Sequence, residues 1–75
     1  MTRYFFDLEN DDGFLKDQEG RDLADGAATR QEVAFILQDV VHDELDGNAP
    51  FTALVIVRND RSEVVTSAKL SFQIH

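Results

Sequence analysis

Between Asp25 and Gly47 the apolar residues recur at helical spacing, and on either side of that segment the spacing drops to two. That double change of period constrains the fold more than any other feature, because it permits one long helix set between two stretches of strand. At 100° per residue, Val33, Ala34, Ile36, Leu37, Val40, Val41 and Leu45 gather on about half of the helical wheel. Two N-caps compete for the start. Asp25 precedes Gly26-Ala27-Ala28, whereas Thr29 forms a capping box with Glu32. Asp25 is favoured, since it brings Ala27 onto the apolar face. Gly47, followed by Asn48, Ala49 and Pro50, supplies the stop.

Before the helix, Tyr4, Phe6 and Leu8 alternate with Arg3, Phe5 and Asp7, which predicts a strand over Arg3–Leu8. Asn10-Asp11-Asp12-Gly13 is a turn, because Asn and Asp bond their own backbone and Gly accepts positive φ. Phe14–Asp17 is then a second strand, and Gln18-Glu19-Gly20-Arg21 a polar turn. After the helix, Phe51, Ala53, Val55 and Val57 alternate with Thr52, Leu54, Ile56 and Arg58. Asn59-Asp60-Arg61-Ser62 is the next turn, without a glycine. From Val64 the alternation runs to His75, which predicts the longest strand and a central one. The expected fold is α+β: a single domain over residues 1–75 in ββαββ order, with a four-stranded antiparallel sheet and one helix packed on one face.

Composition narrows the function classes. The chain has 75 residues, no cysteine, and 15 acids against 7 bases, for a net charge of -8. A domain this small has a thin stability margin. Its charge opposes binding to a phosphate backbone, so no nucleic-acid partner is expected. The lack of cysteine removes disulfides, thiolate metal sites and a thiol nucleophile. The start, Met1 to Glu9, lacks the basic-then-apolar pattern of a secretory signal, and no run approaches a membrane span. The expectation is a cytoplasmic protein with no membrane partner.

Several short motifs occur in a fixed order: Arg3-Tyr4-Phe5-Phe6-Asp7, Asp12-Gly13, Asp17-x-x-Gly20-x-Asp22-Leu23-x-Asp25, Arg30-x-Glu32 and Val55-x-Val57-Arg58-x-Asp60. In these the chain resembles an uncharacterised family of short bacterial proteins, a domain of unknown function that opens with an R-Y-F-F/Y-D/H signature. The likeness covers most of the chain. It implies the same order of elements and a bacterial source, and it assigns no activity, cofactor or catalytic residue. The second hairpin of that family usually has a glycine in its turn, which Asn59–Ser62 lacks.

Candidate sites are few. If Gly13 is the sixth position of a calcium loop, Asn10, Asp12 and Glu19 fall at positions three, five and twelve. The first position is then Leu8, and the flanks read as strands, so a hairpin turn accounts better for the pattern. At the helix end, Asp39, Asp43, Glu44 and Asp46 surround His42 and crowd the negative end of the helix dipole. A cation or a basic partner would relieve them, as solvent and salt also do. One imidazole among scattered carboxylates is a weak metal site. Catalysis has little support. Ser62, Ser67 and Ser71 lie in or beside a strand without an elbow motif, and the histidines are His42 and the terminal His75. No cofactor is expected.

The remaining signal is apolar surface. Phe5, Leu54, Ile56 and Val65 alternate with the core positions, and one helix covers only one face of a sheet. Phe35 lies away from the helical stripe, open either to a partner or to packing against Phe14. The expected function is a non-catalytic protein-interaction or regulatory module acting as a homodimer. Phe5, Leu54, Ile56, Val65 and Phe35 would form its interface, and Asp39, Asp43, Glu44 and Asp46 an acidic rim. Two alternatives come from other classes. An acidic decoy would occupy the basic groove of a nucleic-acid-binding partner, with association that collapses in salt. A divalent-cation or small-ligand binder would melt higher with ligand present.

Overall fold

A computed structural model describes residues 1–75. Its elements are β1 (Thr2–Asn10), β2 (Gly13–Leu15), β3 (Arg21–Leu23), α1 (Gly26–Glu44), β4 (Phe51–Arg58) and β5 (Val64–Phe72). The sheet order is β2-β1-β4-β5, with β3 also paired to β1, and every pairing is antiparallel. The chain is therefore α+β with one helix and five strands.

Register decides which residues meet the helix. Phe6 lies opposite Val57 and Leu8 opposite Val55, while Ala68 and Thr66 of β5 face the same two valines. Cross-strand partners share a face, so these positions form one continuous apolar layer. Phe6, Val33, Val55 and Val57 are its buried centre, with Tyr4, Leu23, Ile36 and Leu37 packed against them. β4 alternates buried and half-buried positions along its whole length, as a central strand covered on one side does.

The expectation of a central last strand is wrong. β5 ends at Phe72 and lies at the edge, and β4 occupies the middle. The reason is in the second face of each strand. β4 carries Leu54 and Ile56 there, whereas β5 carries Ser67, Lys69 and Ser71, which tolerate an edge.

The fourfold strand count is corrected to five. β2 stops at Leu15, not Asp17, and Arg21, expected in a turn, opens β3. The two short strands lie end to end along the outer edge of β1. β2 faces Leu8–Asn10 and β3 faces Thr2–Tyr4. Gly20 makes the second contact possible. Its φ is +73°, and a Cβ there would lie 2.9 Å from both the Arg3 Cγ and the Tyr4 carbonyl oxygen. A three-residue strand shows no period, which is why alternation missed it.

Asp25 caps the helix as its spacing suggested, accepting the Ala28 N–H at 2.9 Å. The Thr29 hydroxyl instead donates to the Gly26 carbonyl at 2.7 Å. The helical stripe ends sooner than the wheel implies, because Leu45 is extended and acts as the C-cap.

The glycine-free turn between β4 and β5 is held by Asn59, whose side-chain oxygen accepts the N–H groups of Arg61 and Glu63 at 2.9 and 3.0 Å. Ser62 sits at φ +64°, where an L-residue is strained. Replacing Ser62 by Gly should therefore stabilise the fold by about 0.5–1 kcal/mol, net of the greater freedom of an unfolded glycine. A higher urea midpoint with an unchanged slope is the expected result; an unchanged or lower midpoint would contradict it.

Candidate functional site

The sheet face away from α1 is built around an ion pair. Asp7 and Arg58 lie on neighbouring strands of this face, with side chains only 5% and 14% exposed. Arg58 donates from Nε to Asp7 Oδ2 at 2.6 Å and from Nη2 to Asp7 Oδ1 at 3.0 Å. The same Nη2 reaches the Asp17 carbonyl at 3.1 Å, and the guanidinium lies 5.1 Å from the centre of the Phe5 ring. Asp7 Oδ1 also accepts the Asp17 N–H at 3.0 Å.

Asp17 closes the gap that β2 and β3 leave along β1. Its Oδ2 accepts the Phe6 N–H at 3.0 Å, so a carboxylate replaces a strand partner at that position. Its Oδ1 accepts the N–H groups of Glu19 and Gly20. Arg3 fastens the far side of this loop with two bonds to Asp22 and one to the Glu19 carbonyl. No buried side-chain nitrogen or oxygen is left without a partner.

Charge in this cluster follows its geometry. The Arg58 hydrogen bonds outweigh burial and hold the Asp7 carboxyl below the ordinary aspartate range. Burial pushes Asp17 upward, but the N–H groups of Phe6, Gly20 and Glu19 together win and leave it lowered. Asp7 in turn raises Arg58.

The residues singled out for an interface fall on two sides of the molecule. Phe5, Leu54, Ile56 and Val65 belong to the open sheet face. Phe5 is half-buried beneath Arg58 and Gly20, Leu54 and Ile56 are half-buried, and Val65 is exposed. Phe14, opposite Glu9, joins that face and is 57% exposed. Phe35 is exposed on the side of the helix turned away from the sheet. The alternative that Phe35 packs on Phe14 is therefore overturned, since the sheet lies between them.

The acidic residues lie elsewhere again. Asp39, Asp43 and Glu44 line a groove of about 360 Å³ between α1 and β1, together with Leu8, Arg21 and Ile36. Asp46 accepts the Asn48 N–H at 2.8 Å and so caps the loop after the helix. His42 is exposed, with Nδ1 3.4 Å from the Asp43 carboxylate. The Asn10 side-chain oxygen is occupied by the N–H groups of Asp12 and Gly13, which makes it a turn cap. Asp12 lies in that turn and Glu19 in the Asp17 loop, and no three His, Asp or Glu side chains come together as a metal site would need. No helix is long and apolar enough to cross a membrane.

A sequence profile described as a domain of unknown function (DUF6894) matches residues 3–71. The chain belongs to this family. Searches of curated proteins and of solved structures find no match. In this DUF6894 domain the residues that sequence reasoning passed over are Asp7, Asp17 and Arg58. Their signal was present: Asp7 and Arg58 interrupt apolar alternation on the same face, and Asp17 stands three residues before the obligatory Gly20.

Replacing Arg58 by Met leaves the Asp7 charge buried and unpaired, and should cost roughly 3–5 kcal/mol. The D7N/R58M double variant should recover part of that loss in urea unfolding; no recovery would show that the pairing is not the source. Because Asp7 and Asp17 are both lowered when folded, the unfolded chain takes up protons first on acidification. Their contribution is full above the unfolded value of about 3.9 and is lost as pH falls through the folded values. The unfolding midpoint should be flat above about pH 5 and fall below about pH 4, less steeply in Asp17→Asn.

Proposed function

We propose that this chain is a non-catalytic protein-interaction or regulatory module that acts as a homodimer, with the open face of its sheet as the contact. The observation that carries this reading is the strip of Leu54, Ile56 and Val65 on the face that α1 does not cover, with Phe14 beyond Glu9 on the same face. Apolar groups grouped this way favour a partner surface, because burying the part of each side chain still in water gains about 25 cal/mol per Å². The Asp7–Arg58 pair beside the strip is already neutralised, whereas Glu9 and Lys69 flank Leu54 and would stand at the rim of the contact. Phe35, on the far side of α1, is a separate contact point outside this strip. The acidic groove of Asp39, Asp43 and Glu44 draws basic partners and repels nucleic acid.

Ile56→Lys tests the reading, since it places a charge in the middle of the strip without touching the core. Light scattering should show the particle mass halved, with the far-UV spectrum and melting profile retained. If the mass is unchanged in a folded variant, the open face is not the contact.

A further inference from the structure

The two edges of this sheet differ. The outer edge of β1 is sealed by β2, by β3 and, between them, by the Asp17 carboxylate on the Phe6 N–H. The outer edge of β5 has no partner strand over all nine residues, Val64–Phe72, and contains no proline. Beside it, between β5 and α1, runs an apolar groove whose two parts measure about 310 and 600 Å³. Ala34, Leu37 and Val41 form its helix wall, and Thr66, Ala68 and Leu70 its strand wall.

Charge points to what fits there. Residues 64–75 contain none of the chain's 15 acids, and the groove lining contains none either, with Arg30 and His42 the ionisable groups along it. Two copies of a chain carrying -8 repel each other wherever carboxylates face carboxylates. At the β5 edge they do not.

β5 also complements itself. In an antiparallel pairing about a two-fold axis at Ala68, side chains from the same face must lie opposite one another. Thr66 then meets Leu70 of the other copy and Ser67 meets Lys69, and the bulge at Val65 ends the regular pairing there. No like charges stand directly opposite, and the large Leu70 falls beside the small Thr66, next to the open part of the groove.

We propose that a second copy of this chain adds to the sheet along β5, antiparallel and centred on Ala68, with its Leu70 filling the groove beside Thr66. This surface is independent of the open face and goes beyond that reading. With both contacts made, the homodimers formed through the open face would associate in pairs along their β5 edges, four chains in all.

The chain has no cysteine, so a single introduced one reports on one position. The two-fold axis brings the Ala68 Cα atoms of both copies to about 4.5–5.5 Å, within reach of a disulfide. Val65 lies three residues from the axis, which separates its two copies by roughly 20 Å. On mild oxidation Ala68→Cys should give a covalent dimer in non-reducing electrophoresis, and Val65→Cys should not. Leu70→Glu should halve the light-scattering mass of the otherwise unmodified chain with the far-UV spectrum kept. Cross-linking should persist in a chain that combines Ala68→Cys with Ile56→Lys.

A folded Ala68→Cys chain that stays monomeric on oxidation, or Val65→Cys linking equally well, would overturn the pairing. Linking by Ala68→Cys that is lost only when Ile56→Lys is added would also overturn its independence from the open face. If instead Ile56→Lys leaves the mass unchanged while Ala68→Cys still links, the open-face contact fails and the edge contact stands.

Discussion

The buried contact between Asp7 and Arg58 organises the face of the sheet that the helix leaves open. The two residues are far apart in sequence but adjacent on the sheet, so their bond ties the first strand to the central one on the side where no helix helps. Arg58 also reaches the Asp17 carbonyl, and Asp17 returns its carboxylate to the first strand. Three charged residues thus bind β1, β4 and the loop between β2 and β3. A buried pair of this kind gives little net stability compared with a well-packed apolar substitute, yet breaking it by halves is costly. Here every buried side-chain polar atom has a partner, as a network that specifies one arrangement of the strands requires.

The two faces of the sheet follow different rules as a result. Towards the helix, packing of Phe6, Val33, Val55 and Val57 is enough to set position. Away from it, hydrogen bonds and ion pairs set position, and apolar groups are left for other uses. The helix lies nearer to β4 than to β5, so one side of the core layer opens into a groove bordered by Leu37, Val41 and Leu70. A domain this small cannot cover a five-stranded sheet with 19 helical residues, and the uncovered part lies at one edge.

The order of the long elements was legible because each carries many repeats of its own period. The helix from its Asp25 cap, the alternation of Phe51–Arg58 and the turn at Asn10–Gly13 all stand where local chemistry puts them. What could not be read was long-range. Nothing in β5 by itself says that its neighbour lies on one side only, because edge and centre differ in what another strand does. Likewise β3 exists through its contact with Thr2–Tyr4 and through the close approach at Gly20, not through its own three residues. The candidate site divides the same way. Leu54, Ile56 and Val65 share the open face as alternation requires, whereas Phe35 and the acids of the helix end are separated from them by the sheet and the helix.

One further consequence comes from the carboxylate that stands in for a strand at Phe6. Since that amide is held by a side chain, the length of the segment from Lys16 to Gly20 is tied to the register of the first strand. Inserting or deleting a residue there would pull Asp17 out of reach and free an amide halfway along the outer edge of the first strand. The loop from Asp46 to Pro50 bonds to itself through Asp46 and carries no such obligation, so it is there that the chain can absorb changes in length.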